Sequence, residues 1–315
     1  MQRAKLPSTK IYFYATLSFA VNYLDLEIKM GQGEETKTRP DPNIEIQERG
    51  EIFFFCRPKV EKDEAHGPED AQRLYLVLRP ESGERPIEDK QEGDKKDSAS
   101  GGHGSQEVNI EKQLLLRLIV MGRKTLPDTS KKSRPYWGFV EMVTTKIEDL
   151  KAALQGGEYD TATRGHRHKP DARAAGAGVY RILRHKTHTH LVYKLEQPEE
   201  EKEAFNIAPE ASFLLQIKNP DQQGSSSGFR GLQSKKKAAF PAHIQGLFGH
   251  RRYQPADPPD FLNYEGCEIL LISASDDLDE ELGLALKTEQ DECSDLMEML
   301  GDAGYPRPLL EGTWA

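Results

Sequence analysis

At 315 residues, with 36% hydrophobic and 30% charged side chains, the chain has apolar material for one large or two ordinary folded units, but not for an ordered whole. Its three cysteines, Cys56, Cys267 and Cys293, are far apart and form no Cys-x-x-Cys pair. That excludes a disulfide framework and a thiolate zinc site and points to a reducing compartment, cytoplasmic or nuclear. The net charge of −9 hides a division: residues 27–111 carry 21 acidic and 13 basic side chains, 112–256 carry 14 and 25, and 257–302 carry 15 and one, a basic middle between acidic flanks.

Residues 1–29 stand apart. Up to Leu24 they hold no acid, they carry Arg3, Lys5 and Lys10, and they run apolar from Ile11 to Val21. That stretch is too short to span a bilayer, so no membrane span is expected. It reads first as an extended start ahead of Met30 and second as an organelle-targeting peptide. Residues 30–43, polar and with Pro40 and Pro42, complete a disordered leader.

The folded part is expected over 44–286, as two repeat units, 44–163 and 164–286, packed on each other. In the first, Gly50-Glu51-Ile52-Phe53-Phe54-Phe55 and Leu74-Tyr75-Leu76-Val77-Leu78-Arg79 have strand length and composition, and a run at 114–120 follows. Between them, 81–106 is a low-complexity insert of Glu, Asp, Lys, Ser and Gly that cannot offset its ordering entropy. Thr145 and Glu148 form a capping box for a helix that Gly156-Gly157 ends. The second unit replays the order: Gly178-Val179-Tyr180-Arg181-Ile182-Leu183, then Leu191-Val192-Tyr193-Lys194-Leu195, a run at 213–217, a helix from Ala242 to Phe248 behind Pro241, and a strand from Gly266. Acids at 276–281 suit a helix N-terminus, and residues 287–315 read as an acidic tail. The predicted fold is therefore α+β, strand-rich and internally duplicated (strand-strand-strand-helix-strand), with pseudo-symmetric units sharing one core.

Candidate chemistry collects between 164 and 194. His166, His168, His185, His188 and His190 lie there, and alternation on a strand would put His166 with His168, and His188 with His190, on common faces. The same span carries eight basic residues, Arg164, Arg167, Lys169, Arg173, Arg181, Arg184, Lys186 and Lys194, against Asp171 alone. Guanidinium and ammonium groups neutralise phosphate, and Tyr180 or Tyr193 would stack on a base. A second basic group, Arg230, Lys235, Lys236, Lys237, Arg251 and Arg252, with Tyr253 beside it, occupies the matching part of the second unit. Two plainer explanations compete: a half-exposed polar strand face for the histidines, and solvated charge that acids elsewhere neutralise. Trp137 and Tyr264 are expected to anchor the core. No Walker loop, nucleophile elbow, His-Glu-x-x-His or dinucleotide fingerprint is present. No metal ligand set completes itself, and no cofactor is implied.

The run Thr161-Ala162-Thr163-Arg164-Gly165-His166-Arg167-His168-Lys169-Pro170, together with His188-Thr189-His190-Leu191-Val192-Tyr193 and the Pro255–Gly266 stretch, resembles a plant protein family with bacterial relatives. The resemblance covers most of 30–295. It implies a plant origin and a start nearer Met30, and carries no established activity, cofactor or site. On sequence alone the leading expectation is a non-enzymatic binding or regulatory protein for a phosphate-bearing ligand such as RNA. Its expected ligand-binding residues are Arg164, His166, Arg167, His168, Lys169, Arg184, His185, Lys186, His188, His190, Arg251, Arg252 and Tyr253. The alternatives are a hydrolase built on His166–His190, with or without a metal, and a scaffold whose acidic tail docks protein partners.

Overall fold

The computed structural model describes residues 35–39, 43–62, 65–81, 84–88, 105–110, 112–131, 134–196, 205–222, 236–288 and 296. The predicted targeting segment at 1–29, Arg230, Lys235 and nearly all of the predicted tail lie outside these residues.

Fifteen strands and three short helices follow the chain. They are β1 (Glu35–Lys37), β2 (Ile44–Pro58), β3 (Ala71–Pro80), β4 (Glu84–Glu88), β5 (Ser105–Asn109), β6 (Leu116–Met121), β7 (Tyr136–Thr144), α1 (Ile147–Leu154), β8 (Gly157–Thr161), β9 (Gly165–Lys169), β10 (Arg173–His185), β11 (His188–Leu195), β12 (Glu210–Lys218), α2 (Ala242–Gly246), β13 (Tyr253–Pro255), β14 (Glu268–Ser275), α3 (Leu278–Leu282) and β15 (Leu284–Leu286). The strand-rich expectation holds, but the helices are peripheral pieces rather than a layer. Eight strands close into an antiparallel barrel in the order β2-β3-β6-β7-β14-β12-β11-β10, with β10 returning to β2. Closure leaves no unpaired edge around the ring, and β13 extends β12 where β11 has run out.

Strand alternation sorts the side chains. Ile52, Phe54, Leu76, Leu78, Tyr180, Tyr193, Phe213 and Leu271 fill the interior. Phe53, Phe55, Val77, Leu118 and Phe139 face outwards beneath Leu150 and Leu154 of α1, while Val179, Leu183 and Val192 face outwards beneath α3 and β15. This explains the unbroken run Ile52–Cys56: both faces of β2 are covered, and each buried phenylalanine contributes about 1.5–3 kcal/mol. β4 pairs with β5 inside the predicted insert, and residues 35–37, expected in the leader, pair with β15.

Arg57 joins α1 to the barrel. It donates to the carbonyls of Ala153 (3.0 Å), Gln155 (3.3 Å) and Pro170 (2.6 Å), and to the Tyr75 hydroxyl (3.1 Å), so the end of α1 is capped by a buried guanidinium. The expected capping box of Thr145 and Glu148 does not form: α1 starts from Lys146 with no side-chain cap, and Thr144 accepts from the Lys146 amide (3.1 Å) and donates to Asp149 (2.6 Å). Asp277 caps α3 as its acid-rich start implied, accepting from the Glu280 amide at 2.8 Å.

The barrel consists of two four-strand meanders, β2-β3-β6-β7 and β10-β11-β12-β14, whose registers repeat. Around the central pair Glu51↔Val179, the pair Gly50↔Tyr180 mirrors Ile52↔Gly178, and Phe54↔Gly176 mirrors Glu48↔Ile182. The bulge at Gln47 in β2 mirrors that at Ala175 in β10. Within each meander Gly50 pairs with Pro80 as Gly178 pairs with Leu195, and Val77 pairs with Leu118 as Val192 pairs with Ser212. The next junctions carry matching irregularities, between Leu118 and Ile119 and between Ser212 and Phe213. At the far seam Gly138↔Ile269 mirrors Tyr136↔Leu271 around Trp137↔Leu270. The helices do not follow the expected unit: α1 comes after the fourth strand of its meander, and α2 comes before it.

Candidate ligand-binding face

The structure distributes the thirteen expected site residues over three places. Arg164, His166, Arg167, His168 and Lys169 belong to the β8–β9 hairpin, beyond the end of β10 that pairs with Cys56. Arg184, His185, Lys186, His188 and His190 belong to the β10–β11 turn, at the end where His185 pairs with Ile44. The thirteen residues of β10 separate the two groups by about 40 Å. The five histidines therefore do not converge, and among the described residues no cluster of His, Cys, Asp or Glu could hold a metal ion.

Each group has local partners. Across the hairpin Glu158 faces His168 and Asp160 faces His166, and His166 lies 3.4 Å from Glu158 and 3.2 Å from Asp160. Alternation here serves cross-strand pairing. Arg167 meets Glu61 at 3.2 Å, and burial, with Arg57 and Arg73 adding to it, pulls the Lys169 ammonium below its usual range. At the other end Arg184 pairs with Glu45 and lies 3.5 Å from Asp257. His190 is buried, its Nδ1 3.0 Å from the Ser212 hydroxyl and 3.9 Å from Glu281, with the His185 ring 5.8 Å away. Burial first, and then the charges of His185 and His188, pushes His190 down to about 4. Serine and glutamate meet the same ring nitrogen, so the relay of a nucleophilic triad, in which each uses a different nitrogen, is not formed.

Four of the eight basic residues at 164–194 are paired with carboxylates. Besides the pairs above, Arg181 lies buried 2.9 Å from Glu35, and Lys194 lies 3.5 Å from Glu210. Tyr180 and Tyr193, expected as stacking rings, are inside the barrel with no exposed surface. Arg164 and Lys186 are exposed and meet no carboxylate among the described residues, one at each end.

The third place differs. Arg251, Arg252 and Tyr253 follow α2, and their turn is tied to the end of β12: the Asn219 amide donates to the Arg252 carbonyl (2.9 Å), and its side chain donates to that of Arg251 (3.1 Å). Both guanidinium groups are exposed, and neither meets a carboxylate among the described residues. Arg251 donates to the Leu247 carbonyl (3.0 Å), and Arg252 lies 5.5 Å from the Tyr253 ring. Tyr253 pairs with Lys218 across β12–β13 and lies 6.1 Å from Trp137 at a 55° tilt. Lys218 sits 5.7 Å from the indole and 2.6 Å from Glu268. Trp137 is half-buried on the outside of the far seam, and its buried Nε1 has no hydrogen-bond partner. Tyr264 does anchor the core, 5.4 Å from Phe240. For Trp137 and Lys218, overlooked as site residues, the only sequence signal was the alternation with Gly138 that turns the indole outwards.

A second polar constellation lies inside the barrel. Arg117 donates to both oxygens of Glu48 (2.6 and 2.9 Å) and to the Asn263 side-chain oxygen (2.8 Å), and the Tyr180 hydroxyl donates to Glu48 (2.7 Å). Asn263 donates in turn to the Pro86 carbonyl (2.9 Å). These groups satisfy one another. On the outer face of the first seam Glu51 pairs with Arg79, and burial, with the Glu51 charge beside it, pushes Glu196 up to about 7 against the pull of Arg79.

No family model, curated protein or solved structure matches this chain. Among the described residues no helix is long and apolar enough to cross a membrane.

Proposed function

We propose that this chain is a non-enzymatic binding module for a phosphate-bearing ligand, RNA being the form to test, and that it binds at the face of Arg251, Arg252, Tyr253, Lys218 and Trp137. One observation carries this reading: Arg251 and Arg252 are adjacent exposed cations that meet no carboxylate among the described residues, Arg252 lying beside the Tyr253 ring, whereas half of the basic residues at 164–194 are paired with acids of the same fold. A hydrolase using His166–His190 has no such support, because its histidines occupy opposite ends of β10.

The test is fluorescence anisotropy of a labelled single-stranded RNA with the 315-residue chain over a range of salt. Two phosphate contacts, from Arg251 and Arg252, give a slope of roughly −1.4 in log affinity against log salt. Changing Arg251 and Arg252 to Ala weakens binding and flattens that slope, while Arg184→Ala, which removes a cation already paired, changes little. Absence of binding at low salt refutes the proposal.

We further infer that the barrel arose from two copies of one four-strand unit. The mirrored pairs, the mirrored bulges at Gln47 and Ala175, and the matching glycines support it. A Cβ at Gly50 would lie 2.2 Å from the Arg79 carbonyl oxygen, and one at Gly178 would lie 2.1 Å from that of Lys194. The Glu81 amide donates to the Arg49 carbonyl, and the Glu196 amide to that of Ala177, both at 3.1 Å.

A further inference from the structure

We propose that Trp137 and Tyr253 form a stacking site for an unpaired nucleobase, so that the ligand of the Arg251–Arg252 face is single-stranded rather than duplex; this rests on the function proposed above. Cations alone would treat the two forms alike, because both present phosphates. The face has more than charge. Its two rings lie 6.1 Å apart, and each has a cation close by, Lys218 at 5.7 Å from the indole and Arg252 at 5.5 Å from the phenol. Such rings beside a charged track are how single strands are held without sequence readout: the base stacks, and the adjoining phosphate meets the cation. Trp137 is half-buried on the outer side of its strand, opposite Leu270, so part of its ring remains open to a ligand. Tyr180 and Tyr193, the rings first expected to stack, are enclosed by the barrel.

The experiment uses the full chain carrying Trp314→Phe, which leaves Trp137 as the one remaining tryptophan. Titration with a single-stranded oligoribonucleotide quenches its emission, and the same sequence as a duplex does not. Trp137→Leu lowers single-strand affinity about fivefold or more, leaves duplex affinity unchanged and keeps the salt slope; Trp137→Phe, which retains a ring, restores much of the loss. If both Trp137 variants lose the barrel's circular dichroism signature, Tyr253→Leu carries the same comparison from the half-buried start of β13. RNA that binds equally well as single strand and duplex, with unchanged emission, overturns the stacking site and leaves the phosphate reading standing. RNA that does not bind at low salt removes both.

Discussion

The Glu48–Arg117 pair is where a single substitution costs most. Both side chains are essentially without solvent contact, 1% and 0% exposed, and the guanidinium and carboxylate meet through two parallel hydrogen bonds. Burial works against charge on Arg117, but the Glu48 carboxylate more than offsets it and lifts the guanidinium above its already high range. Glu48→Leu removes that partner and leaves a cation in the barrel interior, at a cost of about 3–5 kcal/mol. Arg117→Met strands the carboxylate at similar cost. For a folded unit of this size either single change lowers Tm by roughly 10 °C. Making both changes removes both charges and leaves Asn263 still donating to Pro86, so the double variant returns to within about 2–3 kcal/mol of the parent, the residue of cost being the polar partners on Tyr180 and Asn263 that lose their ion. Urea unfolding of the four proteins, compared by midpoint at constant m value, reads the coupling directly. Additive costs, or single variants each within about 1 kcal/mol of the parent, refute the view that the interior is held by a mutually satisfied ion pair.

Gly50→Ala and Gly178→Ala each push a methyl group into a neighbouring strand's carbonyl, and equivalence of the two meanders predicts the same loss of thermal stability for both; a large effect at one site and none at the other contradicts it. The pH dependence of stability has two opposed contributions. His190, held down to about 4, takes up a proton more readily unfolded than folded, so stability falls as pH drops from about 6.5 towards 4. Glu196, held up to about 7, takes up a proton more readily folded, so stability rises as pH drops from about 7 towards 4.5. Melting temperatures at pH 7 and pH 5 should therefore show His190→Gln losing less than the parent on acidification and Glu196→Gln losing more; shifts in the same direction would contradict the assignment.

Seven of the barrel strands were legible in the sequence as apolar runs of strand length, those in β2, β3, β6, β10, β11, β12 and β14, because period-two burial leaves its mark wherever one face meets a core. The eighth, β7, was not read as a strand, and its Trp137 was expected in the core: Tyr136-Trp137-Gly138 puts two large rings on opposite faces of a strand that begins there, and no local pattern distinguishes that from a core anchor beside a turn. Closure was not legible at all. It depends on β10 meeting β2 and on β14 meeting β7, pairings between strands more than a hundred residues apart that leave no trace in either strand alone. Charge misled for the same reason. The surplus at 164–194 is a property of the chain, and Glu35, Glu45, Glu61 and Glu210 arrive through folding to cancel it.

The two seams of the barrel suggest how one architecture came to divide its labour. At the first, Glu51↔Val179, the outer surface is closed: Glu51 is paired with Arg79, Arg181 with Glu35 of β1, and the apolar rows on either side lie under α1 and under α3 with β15. At the second, Trp137↔Leu270, the equivalent centre carries an indole that reaches towards Tyr253, with cations at its rim. Both seams carry a mirrored register around a central pair, and they differ in their side chains and in what the flanking segments cover. Burying the first seam fixes the barrel; at the second, closure of the ring holds Trp137 near Tyr253, and the binding face proposed above would need such fixed spacing to lose little entropy when a ligand settles on it.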